Sequence, residues 1–247
     1  MLGWILASAP LWIVGSFADS RSRLIWWGIA AGIDIIGTWF AHPVPGRVLR
    51  SDNVEFDADH MIERCRLFLI IALGEAVYKA ATALSAALIS FMTLLIGICS
   101  LASIVALWAL YFGGSDHLVV RHTEETTNPI LAARLAMNGE IVTVAGIILF
   151  AVGIELAIAD PYAGISASMS ILLFGGPILY LMSQGWYPWQ ITRKIPYYRI
   201  VGGLSLMVAG FLSYFTKIYV SLIVVTILLA ILSGLITGSV KENGNRL

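Results

Sequence analysis

The sequence predicts an all-α protein, a polytopic transmembrane helix bundle of about eight spans. Three observations carry this. Hydrophobic residues make up 59% of the 247 and charged residues only 12%. Mean hydropathy is +0.87. The apolar residues fall in continuous runs of about 17 residues or more, separated by short polar punctuation, which is the length a helix needs to cross a bilayer. A soluble domain carries about 25% charged residues, so this chain cannot wrap one core in a wettable surface. A β-barrel needs alternating segments of about ten residues, and these runs do not alternate.

The runs follow in order. Residues 2–18 end in Asp19-Ser20-Arg21-Ser22-Arg23. No basic segment precedes this first run, so it reads as a span and not as a cleaved signal. Residues 24–41 hold Asp34 in their middle. A polar stretch with Pro43, Pro45, Arg47 and Arg50 leads to residues 61–84, which contain Glu75 and Lys79. Residues 87–112 carry no charge. A polar segment with His117 and His122 precedes residues 130–159, whose early Glu140 reads as interfacial and whose Glu155 lies deep. Asp160-Pro161 closes this run, because proline removes a backbone donor. Residues 165–184, 197–215 and 218–240 complete the set, and all are read as one transmembrane domain over 1–247.

Every span must be helical, since lipid offers unpaired backbone groups no partner. An even number of spans puts both termini on one side. That side would hold Arg47, Arg50, Arg121, Arg193, Lys194, Lys241 and Arg246, against Arg21, Arg23 and Lys217 opposite. The excess predicts cytoplasmic termini. Trp26, Trp27, Trp39, Trp186, Tyr187 and Trp189 stand near span ends, where amphipathic rings belong.

Function is sought first in the costly residues. Asp34, Glu75, Lys79 and Glu155 fall well inside apolar runs, and an unpaired charge at the bilayer centre costs about 2.5–3.5 kcal/mol on insertion scales. Glu75 and Lys79 are four apart, acid first, and can pair on one helix face. Arg64 precedes Glu75 by eleven residues, a rotation of about 20°, so it shares the stripe. His60, Arg64, Glu75 and Lys79 thus form a polar seam flanked by Glu63 and Arg66. Glu155 has no basic neighbour at helical spacing, and Lys79 from the other helix is its nearest partner. Asp34 stands alone in its run.

Other chemistry is thin. His117 and His122 are five apart and point about 140° from each other on a helix, which favours a solvated loop over a metal site. Cys65 and Cys99 make neither zinc spacing nor a disulfide framework. No nucleotide loop or nucleophile elbow appears. Zero net charge removes any bulk case for nucleic acid. Neither a metal nor another cofactor is expected. Gly28-x-x-x-Gly32 reads as a helix-packing face. Gly175-Gly176-Pro177 and Gly202-Gly203 read as close contacts or a break in a span. Ala72-Leu73-Gly74-Glu75-Ala76 faintly echoes Ala151-Val152-Gly153-Ile154-Glu155-Leu156, a weak internal repeat.

The segment His60-Met61-Ile62-Glu63-Arg64-Cys65-Arg66-Leu67-Phe68-Leu69-Ile70-Ile71-Ala72-Leu73-Gly74-Glu75 resembles the signature of the bacterial low temperature requirement protein A family. Val144 to Pro161, Pro10-Leu11-Trp12 and Gly175-Gly176-Pro177 are similar to further family segments. The resemblance implies a multi-pass protein of the bacterial inner membrane with no settled molecular activity. It carries His60, Glu63, Arg64, Gly74, Glu75 and Glu155 over as the positions of interest. The chain departs from the family in lacking an N-terminal Glu-Leu-Phe-Phe-Asp-like motif, which implies a short or N-terminally truncated member. It also has Asn138-Gly139-Glu140 where a histidine is common, and Ile154 where an acid is common.

Three classes stay open on these residues. The first is transport of a small solute or ion along the seam, with Glu155 facing it. The second is a structural or assembly protein with charge-paired buried residues and no substrate. The third, a membrane-embedded enzyme, is disfavoured, because no span holds a histidine pair at ligand spacing. The expected partners are membrane lipid, an unidentified small solute or ion, and a second copy of the chain.

Overall fold

The computed structural model describes residues 2–39, 58–113, 129–193 and 195–244. Among them the apolar runs are all helical and no strand occurs; one isolated bridge joins Gly164 to Lys217. The helices are α1 (Leu2–Phe17), α2 (Ser20–Trp39), α3 (Ala58–Ala86), α4 (Phe91–Phe112) and α5 (Pro129–Ala159). Ala167–Ser170, the π-helical Ile171–Gly175 and Gly176–Thr192 run on as one helix, α6. Then come α7 (Tyr197–Leu212) and α8 (Ile218–Gly244). Six of these runs, from α3 to α8, are long and apolar enough to cross a membrane. The apolar run of α1 is shorter, and α2 is diluted by Arg21, Arg23 and Asp34. The polar stretches around Arg47 and around His117 and His122 lie outside the described residues, as does Lys194.

The contacts divide the chain into two units, Met1–Phe56 with Thr127–Asn138, and Asp57–Thr126 with Gly139–Leu247. In the first, α1 and α2 form a helical hairpin. Asp19 turns the chain: its carboxylate accepts from the N–H groups of Arg21 (3.2 Å) and Ser22 (3.3 Å). Those amides have no partner inside the helix, so the cap starts α2. Trp27 then donates to the carbonyl of Trp12 (3.3 Å), and the two rings lie 6.1 Å apart.

In the second unit, α5 and α6 are antiparallel and touch backbone to backbone. A Cβ on Gly146 would lie 2.7 Å from the Gly176 carbonyl oxygen and 2.9 Å from Tyr180 N. Small residues let backbones meet this closely. The π-helical turn stands just before Pro177, whose missing N–H leaves the regular helical ladder one bond short. By contrast, a Cβ on Gly28 or Gly32 meets nothing within 4 Å among the described residues. The close-packing face expected there is instead at Gly146 and Gly176.

Helices α4 and α8 run parallel. Ser103 pairs with Thr226 (2.8 Å), and Gly113 further along meets Thr237. Helices α6 and α7 are antiparallel, with Phe174 against Gly210 and Leu181 against Gly202. The first amides of α8 are satisfied by the α5–α6 connection: Ile218 N donates to Ala163 O and Tyr219 N to Pro161 O, each at 3.1 Å. The core between these helices is apolar, with Leu69, Ile96, Leu107, Ile147, Phe150, Leu173, Tyr180 and Leu222 fully buried.

Candidate functional site

Two polar groups of residues stand on α5, about 18 Å apart along its axis at 1.5 Å per residue. The deeper-lying sequence candidate is Glu155. Its carboxylate meets Lys79 Nζ of α3 at 3.4 Å, and the two side chains remain 41% and 38% exposed. The pairing expected across two helices is present. Glu75, one turn before Lys79, is exposed and takes no part in it. Helical spacing permits Glu75 to reach Lys79, but the ammonium is turned to Glu155.

The remaining members of the expected seam do not converge on this pair. His60, Glu63 and Arg64 are exposed at the start of α3. His60 lies 19 residues from Lys79, about 28 Å along the helix. Asp34 belongs to the α1–α2 hairpin, where its carboxylate accepts from Trp12 Nε1 at 3.1 Å. That bond gives the lone acid a structural partner.

The second group was only partly legible. Glu140, expected at an interface, is 7% exposed, and Tyr111 of α4 donates to its carboxylate at 3.5 Å. One turn on, the Thr143 hydroxyl bonds Ser183 Oγ (2.8 Å), accepts from Gln184 Nε2 (2.9 Å) and lies 2.9 Å from the Gly139 carbonyl oxygen. Tyr180 is fully buried, and its hydroxyl donates to the Leu107 carbonyl at 2.7 Å. Arg199, near the start of α7, is 7% exposed. Sequence reading passed over Arg199 because it stands two residues inside an apolar run, where an arginine reaches the interface by snorkelling. It also missed Thr143, Ser183 and Gln184, which look like ordinary tolerated hydroxyls and amides of a span.

Between the two groups α5 presents Ile147, Phe150, Ala151 and Ile154 to the core, all buried. The arrangement is thus a charged pair toward one end, a hydrogen-bonded network toward the other, and an apolar layer between.

A relative from Rhizobium meliloti (strain 1021), itself an uncharacterized protein, is 30% identical over 211 residues. The match covers 84% of this chain and 51% of the relative, so the chain spans about half that protein's length. No solved structure matches the chain. The family model for the bacterial low temperature requirement A protein matches residues 1–233. The chain is a multi-pass helical membrane protein and belongs to the bacterial low temperature requirement A family.

Proposed function

We propose that this protein passes a small solute or an ion across the bilayer, with Lys79 and Glu155 as the groups that engage it. The observation carrying this is the state of that pair. A bridge serving only to join two helices repays its desolvation only where its geometry is good and its remaining lone pairs and protons are hydrogen-bonded. Here both side chains stay about two-fifths exposed, and a second carboxylate, Glu75, stands one turn from the same ammonium. Lys79 therefore has two acids to choose between. An arriving ion or solute that takes Glu155 leaves Lys79 a partner in Glu75, so no charge is stranded in the span. The buried layer of Ile147, Phe150, Ala151 and Ile154 then acts as the closed barrier. The reading assigns the protein no chemical step, an inner-membrane location with cytoplasmic termini, and a second copy as the natural partner.

The Asp34–Trp12 bond favours a second reading, because there an acid in an apolar run serves to attach one helix to the next. On that reading the Lys79–Glu155 pair joins α3 to α5 and carries nothing.

Reconstitution into liposomes separates the two. Flux of a panel of ions and small solutes is compared for the wild type, Glu75→Gln, Glu155→Gln and the double variant Lys79→Met/Glu155→Gln. The transport reading expects a flux that falls about tenfold or more in each variant, as loss of about 1.4 kcal/mol at the rate-limiting step requires. Wild-type liposomes that match empty ones for the whole panel overturn it. So does a double variant with full flux and restored stability, which is the signature of a structural bridge.

A further inference from the structure

We propose that the groove between α6 and α7 is a binding site for one anionic phospholipid, its phosphate at Arg199 and an acyl chain along α7. The site is separate from the Lys79–Glu155 pair and does not depend on its role.

The groove is a cavity of about 530 Å³, within the range of about 300–1,000 Å³ that holds small ligands. Its surface is almost wholly apolar, and the one charged side chain of its lining stands at one end. At one end stand Arg199, Trp186 and Trp189; toward the other the lining is Leu204 and Met207. Arg199 and Met207 are eight residues apart on α7, about 12 Å along the axis. Charge and tryptophan at one end with bare hydrocarbon beyond is the profile of a lipid read from headgroup to chain. Leu204 and Met207 are 55% and 57% exposed, so the apolar end is open to the surrounding bilayer.

Charge complementarity decides for an anionic head. Arg199 is more than nine-tenths buried, and its Nη1 has no hydrogen-bond partner among the described residues. A buried guanidinium nitrogen without an acceptor is costly, and a phosphate supplies acceptors in the geometry arginine prefers. Two neighbours add positive potential at the same end. The guanidinium of Arg193 lies over Trp189, 5.9 Å from the ring centroid. The N-terminus of α7 has no side-chain cap, and its dipole favours an anion.

Space for the chain is shown by Gly203. This residue is buried and lines the cavity, yet a Cβ there would meet nothing within 4 Å. The empty volume lies directly over its backbone, so a Cβ added at this position enters the groove without meeting a neighbour.

The protein is reconstituted into nanodiscs of equal parts phosphatidylglycerol and phosphatidylcholine. Lipid retained after ejection is then read by native mass spectrometry. The expected result is one retained phosphatidylglycerol per chain, preferred about tenfold over phosphatidylcholine. Gly203→Leu fills the groove and is expected to lose retention of both lipids. Arg199→Gln is expected to lose the preference and keep the chain. Should Arg199→Gln fail to fold, Gly203→Leu decides alone, since its Cβ enters open space. Equal retention of the two lipids by the wild type overturns the proposal, as does a Gly203→Leu protein that retains phosphatidylglycerol unchanged. Displacement of the lipid by inorganic phosphate overturns it too, because the site would then read a free anion and not a lipid.

Discussion

Gly146→Ala tests the packing that positions both polar groups on α5. The added Cβ would stand 2.7 Å from the Gly176 carbonyl oxygen and 2.9 Å from Tyr180 N. Both are backbone atoms, so neither can swing aside. A carbon and a carbonyl oxygen settle at about 3.3–3.6 Å, which requires α5 and α6 to part by about 0.6–0.9 Å. A gap of about 0.5–1 Å already forfeits a quarter to a half of each dispersion contact across it. The side chains at the crossing are Ile147, Phe150, Leu173 and Tyr180, all fully buried. Overpacking of this kind costs about 1–3 kcal/mol. The assay is the free energy of unfolding by SDS titration in a fixed mixed micelle, with Gly28→Ala as the control. A Cβ at Gly28 meets nothing within 4 Å, so the control should stay within about 0.5 kcal/mol of wild type. Equal loss in both variants, or none in Gly146→Ala, would show that the α5–α6 crossing is not the tight contact.

Two further expectations come from the polar contacts. Thr143→Val should cost more than Tyr180→Phe in the same titration. Valine leaves Gln184 Nε2 without its acceptor, about 1–3 kcal/mol, while Ser183 Oγ keeps the Tyr180 carbonyl; phenylalanine frees only a helical carbonyl that keeps its own amide, about 0.5–1.5 kcal/mol. A reversed order would place the network's weight on Tyr180. At the α1–α2 turn, Ser22, through its side chain and N–H, and then the N–H of Arg21, hold the Asp19 carboxyl below its ordinary pKa. A lowered folded-state pKa means the cap contributes above the unfolded value and is lost as pH falls through the folded one. Amide exchange in the first turn of α2 should therefore quicken below the usual carboxylate range, and Asp19→Ala should abolish that dependence. An unchanged acid profile in the variant would remove Asp19 from this role.

Much of the architecture follows from local chemistry. Long runs of apolar side chains must be helical in lipid, whatever their neighbours, so the runs from Leu2 to Val240 were readable one at a time. Asp160-Pro161 ended α5 by removing a donor, and Asp19 began α2 by capping it. Glu155 was marked by cost alone, and Lys79 was the available cation of opposite sign within a span.

Tertiary structure decided everything that depends on which face of a helix meets which neighbour. Spacing allowed Lys79 to bond Glu75 or Glu155, and the position of α5 beside α3 chose Glu155. Small residues are frequent along every span, so Gly28 and Gly32 could not be told from Gly146 and Gly176. Only the second pair stands where two backbones cross. Glu140 read as interfacial because it lies in the early part of an apolar run, and Arg199 went unremarked near the start of another, yet the packed helices bury both. Burial is a property of the assembled bundle: one helix states what it must hide, and its neighbours determine what is hidden.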